Sequence, residues 1–265
     1  VPELPEVETA RRLAEAFLAG RRLERVMARA DPLVFCGRSP AYVRARLHGR
    51  RVQAVGRKGK HFWLELDRRP WPVFHFGMAG RLEPLSGDAA APRHAKLTLV
   101  AEGGSAIVFS DSRRFGRIRL LRDPPHEEPI RDLGFDVLDE LPGTRELAGV
   151  LAARTAPIKA VLLDQGLFAG VGNWIADEAL FQARIRPDRA AADLRRAEVA
   201  RLRARLGAVV RFAVAVGADS GRFPRGWLFH RRWGRDPRAT TASGQRIVHI
   251  TIAGRTAAFV PARQR

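Results

Sequence analysis

LLDQGLFAGVGNWIADEAL, residues 162–180, reads as two helices joined by a glycine-rich turn. One helix ends near Asp164-Gln165, Gly166, Gly170 and Gly172 supply tight backbone, and Asn173 stands where the N-cap of the second helix is expected. Such a turn can offer backbone N–H groups and an amide side chain to a phosphate. A helical hairpin without any ligand fits the same spacing equally well.

On either side of this stretch the texture differs. Downstream of about Glu140, Leu, Ala and Arg recur at helical spacing through Val216. Upstream, RRVQAVGRKGKHFWLEL, VFHFGMAGRLEPL, AKLTLVAEG and AIVFSDSRRFGRIRLL carry aromatic and β-branched residues between turn signals, with Gly103-Gly104 marking a hairpin. Prolines 124, 125 and 129 interrupt the pattern. GADSGRFPRG, residues 217–226, reads as a loop, and RIVHITIAGRTAAFVPA then alternates as a small hairpin turning at Gly254-Arg255. The sequence therefore predicts an all-β half, a linker near 124–140, a helical half and a β-hairpin appendix.

The 265 residues carry 47 Lys+Arg against 28 Asp+Glu, a net charge of +19. That surplus favours a polyanionic partner through phosphate contacts and counterion release, although an Arg-rich composition alone accounts for part of it. No apolar run reaches about 18 residues and no signal peptide is evident, so no membrane association is expected. The single cysteine, Cys36, follows Leu33, Val34 and Phe35 and is expected to be a buried, inert thiol. One cysteine excludes a disulfide framework and a multi-cysteine metal site.

The chain opens VPELPEVETA, and Val7, Ala10, Leu13, Ala14, Phe17 and Leu18 fall on one helical face that stops at Gly20. A terminus fixed to a buried helix would hold an α-amino group beside Glu3, where it can act as a reagent. SDSRRFG sets Arg113, Arg114 and Phe115 against a glycine, and HFGMAG sets Met78 between two. Cations that hold phosphate beside apolar residues that wedge or stack suit loops entering DNA. Lone Met and Phe residues are more commonly core, and His75 and His94 are more commonly structural.

PELPEVET, GKHFWLEL, HFGMAGRL, SDSRRFG, IKAVLLDQGLFAGVGNWIADEAL and AGRTAAFVPARQR, in this order, resemble the formamidopyrimidine-DNA glycosylase and endonuclease VIII family, on its formamidopyrimidine side. The resemblance implies an α+β fold: an N-terminal β-sandwich with an N-terminal helix (1–130), a helix–two-turn–helix domain (131–222) and a zincless β-hairpin finger (223–265). It implies a bifunctional glycosylase and abasic-site lyase of base-excision repair, working in the cytoplasm of a bacterium, at the nucleoid, as a monomer on damaged double-stranded DNA, without a cofactor. In that scheme a terminal amine attacks C1′ of a flipped-out nucleotide, and β- and then δ-elimination cut the strand.

Residue by residue, Pro2 matches the family's nucleophile and Glu3 its general acid/base. Lys60 and Arg255 match a lysine and a finger arginine that contact the target phosphate, and Asn173 matches a phosphate-binding asparagine. His94, Arg113 and Arg154 fall at DNA-contact positions, with His75 and Arg114 in the same candidate set. Met78, Arg113 and Phe115 match the residues that fill the void left by the flipped base.

Three departures from the family pattern shape the expectations. Val1 precedes Pro2, so the nucleophile is the amine of Val1 or that of a processed Pro2. Thr240, Ser243, Val260 and Arg263 occupy the four positions of the finger's zinc-binding cysteines, so no metal is expected and the hairpin must hold itself by packing. The stretch between Val216 and Trp227 is short, which favours formamidopyrimidines, hydantoins or oxidised pyrimidines over 8-oxoguanine as substrates. A catalytically impaired lesion-binding protein is the competing class; retention of Glu3, Lys60 and Arg255 speaks against it.

Overall fold

A computed structural model describes residues 2–86 and 90–265, so Val1, one of the two nucleophile candidates, lies outside the described residues. The chain divides into two compact units: Pro2 with Glu6–Asp132, and Glu3–Pro5 with Leu133–Arg265.

The first unit is built from helix α1 (Leu4–Leu18) beyond its opening turn, β1 (Leu23–Ala28), α2 (Pro40–Leu47) and strands β2 (Val52–Lys58), β3 (His61–Leu66), β4 (Trp71–His75), β5 (Arg81–Leu85), β6 (Ala95–Ala101), β7 (Ala106–Ser110) and β8 (Arg117–Leu121). The strands form two four-stranded antiparallel sheets, ordered β1-β6-β7-β5 and β2-β3-β4-β8. Val26, Leu97, Leu99, Ile107 and Phe109 of one sheet share a core with Val55, Phe62, Leu64, Phe74 and Ile118 of the other. Val7, Ala10, Ala14 and Leu18 add the apolar face of α1 to it, as the spacing predicts.

Four local expectations are corrected. AIVFSDSRRFGRIRLL is two strands in different sheets, because the turn at Asp111–Gly116 sends the chain across the sandwich. β1 and α2 lie in a region with no strong periodicity; α2 starts at Ser39, whose Oγ accepts from the Tyr42 N–H at 3.2 Å, with Pro40 at the first helical position. Cys36 is exposed: Val34 and Phe35 take the core positions, and Cys36 turns the chain outward with φ of 51°. Although GKHFWLEL sets Lys60 beside an apolar run that reads as a strand, Lys60 itself lies in the Gly59-Lys60 turn and β3 starts at His61.

The second unit holds β9 (Phe135–Asp136), α3 (Thr144–Ala152), α4 (Ile158–Leu163), β10 (Phe168–Ala169), α5 (Asn173–Ala183), α6 (Arg196–Ala215) and the hairpin β11 (Val248–Ile252) and β12 (Arg255–Phe259). β9, in the region read as linker, pairs in parallel over two residues with β10 in the glycine-rich turn. The unit's core, with Leu147, Ile158, Phe168, Ile175, Leu180, Leu206 and Val210 fully or almost fully buried, also takes in Leu4 from the chain's opening. Among the described residues no helix is long and apolar enough to cross a membrane.

Candidate active site and DNA-contact residues

Helix α5 explains why the chain begins as it does. The N-cap position is Gly172, which has no side chain to cap with, and Asn173 is the first helical residue, so the helix starts one residue earlier than the sequence suggests. The capping group comes from the other end of the sequence. Glu3 is 3% exposed. Its Oε1 accepts from the Trp174 N–H at 2.9 Å and its Oε2 from the Ile175 N–H at 3.2 Å. Both oxygens thus satisfy amides that a helix N-terminus leaves open, and the helix dipole favours the negative charge.

The glycines of the turn admit that carboxylate. A Cβ at Gly172 would collide with the Glu3 carboxyl, and one at Gly170, where φ is +100°, would collide with the Leu4 side chain. The Leu4 N–H donates to the Gly170 carbonyl at 3.1 Å. Gln165 braces the turn from within, donating to the Leu163 and Val171 carbonyls at 2.8 Å each and accepting from the Gly170 N–H at 3.2 Å. The Asn173 side chain has its Oδ1 buried without a hydrogen-bond partner, so its amide is not committed to the fold through that atom.

The finger is anchored to the same helix. Asp177, fully buried, accepts from Lys159 Nζ at 2.6 Å, from Arg232 at 3.0 and 2.6 Å and from the Ala258 N–H at 3.1 Å. Lys159 also donates to the Thr256 carbonyl at 2.7 Å, one residue from Arg255. Burial pulls the Lys159 pKa down, and Asp177 opposes that shift. Arg255 is exposed and is the first residue of β12; the turn itself is Ala253-Gly254, both at positive φ (48° and 69°).

At the four positions of the missing cysteines the structure substitutes packing and amides. Val260 joins Phe181, Leu228, Ile247 and Ala258 in a small core, and Arg263 lies over the Phe181 ring at 4.6 Å. Thr240 pairs with Arg246 in a lone β-bridge, and Ser243 Oγ lies 3.0 Å from Thr241 Oγ1. Gln264 accepts from the Val260 N–H at 2.7 Å and donates to the Ile185 carbonyl at 2.8 Å. Among the described residues, no group of three or more His, Cys, Asp or Glu is placed to hold a metal.

In the first unit, Pro2 lines a cavity of about 220 Å³ with Glu6, Ala10, Leu13 and Phe76. Glu8 on α1 accepts from Arg11, Arg12 and Arg57, and Arg57 also donates to the Gly59 carbonyl at 3.3 Å. These arginines hold the Glu8 carboxyl below its usual range despite burial. The network ties α1 to the Gly59-Lys60 turn.

Met78 (36% exposed) and Phe115 (48% exposed) sit on neighbouring turns. At Gly77 φ is +60° and a Cβ would strike the Phe115 backbone, so the two turns touch main chain to main chain. Asp111 shapes the second turn, accepting from the Arg113 N–H at 3.0 Å and the Gly116 N–H at 2.6 Å. The Arg113 guanidinium lies 5.2 Å over the Phe115 ring. Met78, Arg113 and Phe115 thus share one exposed edge.

Two expected DNA contacts have other partners. Arg114, at φ of 58°, makes a bidentate ion pair with the buried Asp31 at 3.0 and 3.2 Å, which Lys96 joins at 2.8 Å. Those charges hold the Asp31 pKa down to about 2. His75 accepts from the Gly77 N–H through Nδ1 at 3.2 Å and stacks on His61 with ring centroids 4.7 Å apart. Burial, then the positive charges of Lys60 and Arg119, lower the His75 pKa to about 4; burial and its neighbours take His61 to about 3. His75 is therefore a neutral brace for the Met78 turn. His94 is exposed, and its carbonyl accepts from the Asp111 N–H. Arg154 is half-buried and donates to the Val150 carbonyl at the end of α3.

Comparison with known proteins defines the class. The family model described as the formamidopyrimidine-DNA glycosylase N-terminal domain matches residues 1–118, and that described as its H2TH domain matches residues 133–224. The chain belongs to the formamidopyrimidine-DNA glycosylase family, enzymes of base-excision repair. A formamidopyrimidine-DNA glycosylase of Arabidopsis thaliana is 39% identical over 279 residues, covering 100% of this chain and 71% of the relative. The crystal structure of the Thermus thermophilus MutM (Fpg) protein superposes with a TM-score of 0.80 at 36% identity, covering 99% of this chain and 98% of that one. The Lactococcus lactis formamidopyrimidine-DNA glycosylase, non-covalently bound to DNA containing an AP site, superposes with a TM-score of 0.84 at 26% identity over 99% of each chain.

Proposed function

We propose that the chain excises formamidopyrimidines, hydantoins and oxidised pyrimidines from duplex DNA, and cleaves the abasic site it makes. The nucleophile is the free α-amine next to Glu3, borne by Val1 or by a processed Pro2. An unprotonated amine attacks C1′, the base leaves with a proton, and the adduct becomes an iminium. That cation accepts the electron pair released when a C2′ proton is removed; the 3′ phosphate then leaves, and the 5′ phosphate follows. A terminal amine has a pKa of about 7.7–8.0, so part of it is neutral at pH 7. Glu3 protonates the opening sugar and shuttles protons. Lys60, Arg255 and Asn173 bind the phosphates around the lesion, while Met78, Arg113 and Phe115 fill the gap in the duplex.

The observation that carries this reading is the seat of Glu3. A carboxylate adjoining the terminal residue is buried and aimed by two backbone N–H groups of α5, in a turn whose glycines leave room for nothing larger. Because the same two bonds also cap α5, loss of excision with retained binding in Glu3→Gln is what separates catalysis from lesion binding alone. The substrate preference has its own support. In the 217–226 loop, Phe223 is 4% exposed and packs 5.6 Å from Trp174 and 4.9 Å from Phe229. Its packing leaves little loop backbone to read a purine, and lesions that stack poorly are easier to flip.

Single-turnover excision on matched duplexes, each carrying one lesion, tests the preference. Formamidopyrimidine and hydantoin rates should exceed the 8-oxoguanine rate. An 8-oxoguanine rate equal to or above them would refute the loop argument and leave the family membership intact.

A further inference from the structure

The C-terminal end of α5 opens into two adjoining cavities of about 670 and 530 Å³, which share Arg184, Arg201 and Arg263 in their walls. Arg205 and Trp227 also line the first, and Arg195, Arg265 and Glu198 the second, where the Glu198 carboxylate is already paired with Arg189. α5 has 11 residues, so this groove lies about 16 Å along the helix from Asn173. It is therefore separate from the phosphate contacts assigned to the α5 N-terminus.

Some arginines of this unit pair with carboxylates, among them Arg186 with Asp188, Arg189 with Glu198 and Arg232 with Asp177. In the groove, Arg184, Arg201, Arg205, Arg263 and Arg265 have no carboxylate partner among the described residues. Arg263 also has a buried Nε without a hydrogen-bond partner. Its guanidinium plane is fixed over Phe181, and Arg201 is steadied by an Nε–H bond to the Ala183 carbonyl at 3.2 Å. Arg201 and Arg205 are one helical turn apart on α6, with about 6 Å between their Cβ atoms. The carboxyl group of Glu178 in the groove wall is pushed up to about 7 by burial, so it is only partly ionised near neutrality.

The geometry points to a second anion site, formed by Arg184, Arg201, Arg205, Arg263 and Arg265, that binds a run of phosphates away from the lesion. Guanidinium forks match phosphate oxygens in pairs, and five clustered like charges without partners gain most from a polyanion. The phosphates belong to a nucleic-acid backbone or to a free polyphosphate, and the experiment separates the two.

The test titrates sodium tripolyphosphate, and separately a long undamaged duplex, into the full chain and into Arg184→Glu/Arg201→Glu/Arg205→Glu. A control of equal charge, Arg25→Glu/Arg44→Glu/Arg46→Glu, carries its changes on exposed positions of the first unit. Circular dichroism melting verifies that each variant folds, and an Arg→Gln version of the groove triple replaces the charge reversal if it does not. Tripolyphosphate affinity should fall at least about tenfold in the groove variant and hold in the control. If the ligand is nucleic acid, the slope of log affinity for the duplex against log salt should also shrink by about 2–3. An unchanged slope with lost tripolyphosphate binding assigns the groove to free polyphosphate. Excision on a short lesion duplex should persist in the groove variant, which keeps this outcome distinct from that of the proposed catalysis. Equal weakening in the control, no tripolyphosphate binding to the unaltered chain, or tighter binding of a polyglutamate peptide would overturn the proposal.

Discussion

Both units bury carboxylates, Glu8, Asp31 and Asp111 among those of the first, but the first adds a neutral histidine pair and the second a carboxyl with a raised pKa. The first hides His61 and His75 as a stacked pair that burial and nearby cations keep neutral, with pKa values lowered to about 3 and 4. The second hides carboxylates: Glu3 on backbone amides, Asp177 among two cations and an amide, and Glu178 with its pKa raised to about 7. The sheets supply tight turns that present Met78, Arg113 and Phe115, the first braced by the neutral His75 and the second by Asp111 and the Arg114–Asp31 pair. The helical unit fixes Glu3 at the opening of the chain and the β11–β12 hairpin to α5, and buried carboxylates do both by collecting several donors at one point.

The largest effect is expected at Glu3. Glu3→Gln removes the proton donor, so excision should fall by about 10²–10⁴-fold in single-turnover assays while binding to an abasic-site analogue is largely retained. Gly172→Ala leaves Glu3 in place but drives its carboxyl off the α5 amides, and should lower excision in the same direction by a smaller factor. Wild-type rates in both variants would remove Glu3 from the chemistry.

Next is the finger. Asp177→Ala leaves Lys159 and Arg232 as uncompensated buried charges and frees the Ala258 N–H, and should cost about 3–5 kcal/mol in denaturant unfolding. If the finger grips phosphate as proposed, Arg255→Ala, at an exposed position, should weaken duplex binding without altering stability. A chelator should change neither the melting temperature nor activity. Stoichiometric zinc by elemental analysis, or chelator-sensitive excision, would contradict a finger held by packing, Asp177 and Gln264.

The smallest effect is on pH dependence, and it separates the units by sign. For His61 and His75 the folded pKa lies below the ordinary 6.5, so the unfolded chain takes up protons first, and their contribution is lost as pH falls below 6.5. For Glu178 the folded pKa lies above the ordinary 4.5, so its contribution is present below 4.5 and is lost as pH rises through about 7. Asp31 and Glu198, lowered to about 2, lose theirs only at lower pH. Hydrogen exchange between pH 4.5 and 7, corrected for intrinsic rates, should show β3 and β4 loosening toward acid. The α5 segment around Glu178 should loosen in the other direction. His61→Phe should abolish part of the first trend; parallel trends in both units would break the contrast.

Much of this is legible where local chemistry decides structure. The α1 face, the glycine turn before α5 and the Gly103-Gly104 hairpin are all signalled by short-range pattern. The spacing puts the cap of α5 at Asn173, one position late, because the true capping group, Glu3, lies about 170 residues away in sequence. Arg114 likewise pairs with Asp31 across the fold, and Asp177 gains its role only where α4, α5 and the finger meet; no spacing announces such partners. α2 escapes a reading by periodicity although Ser39-Pro40 is a usable start signal, since its eight residues carry almost no amphipathic pattern. β9 and β10 are too short to leave any periodicity.

The central claim is that the amine beside Glu3 is the nucleophile. Borohydride reduction on abasic-site duplex, followed by peptide mapping of the trapped complex, tests it most directly. The account predicts a covalent adduct on the terminal amine, Val1 or Pro2, and the intact mass will show which residue carries it. An adduct on Lys60 alone, or no adduct under conditions where the duplex is bound, would contradict the account.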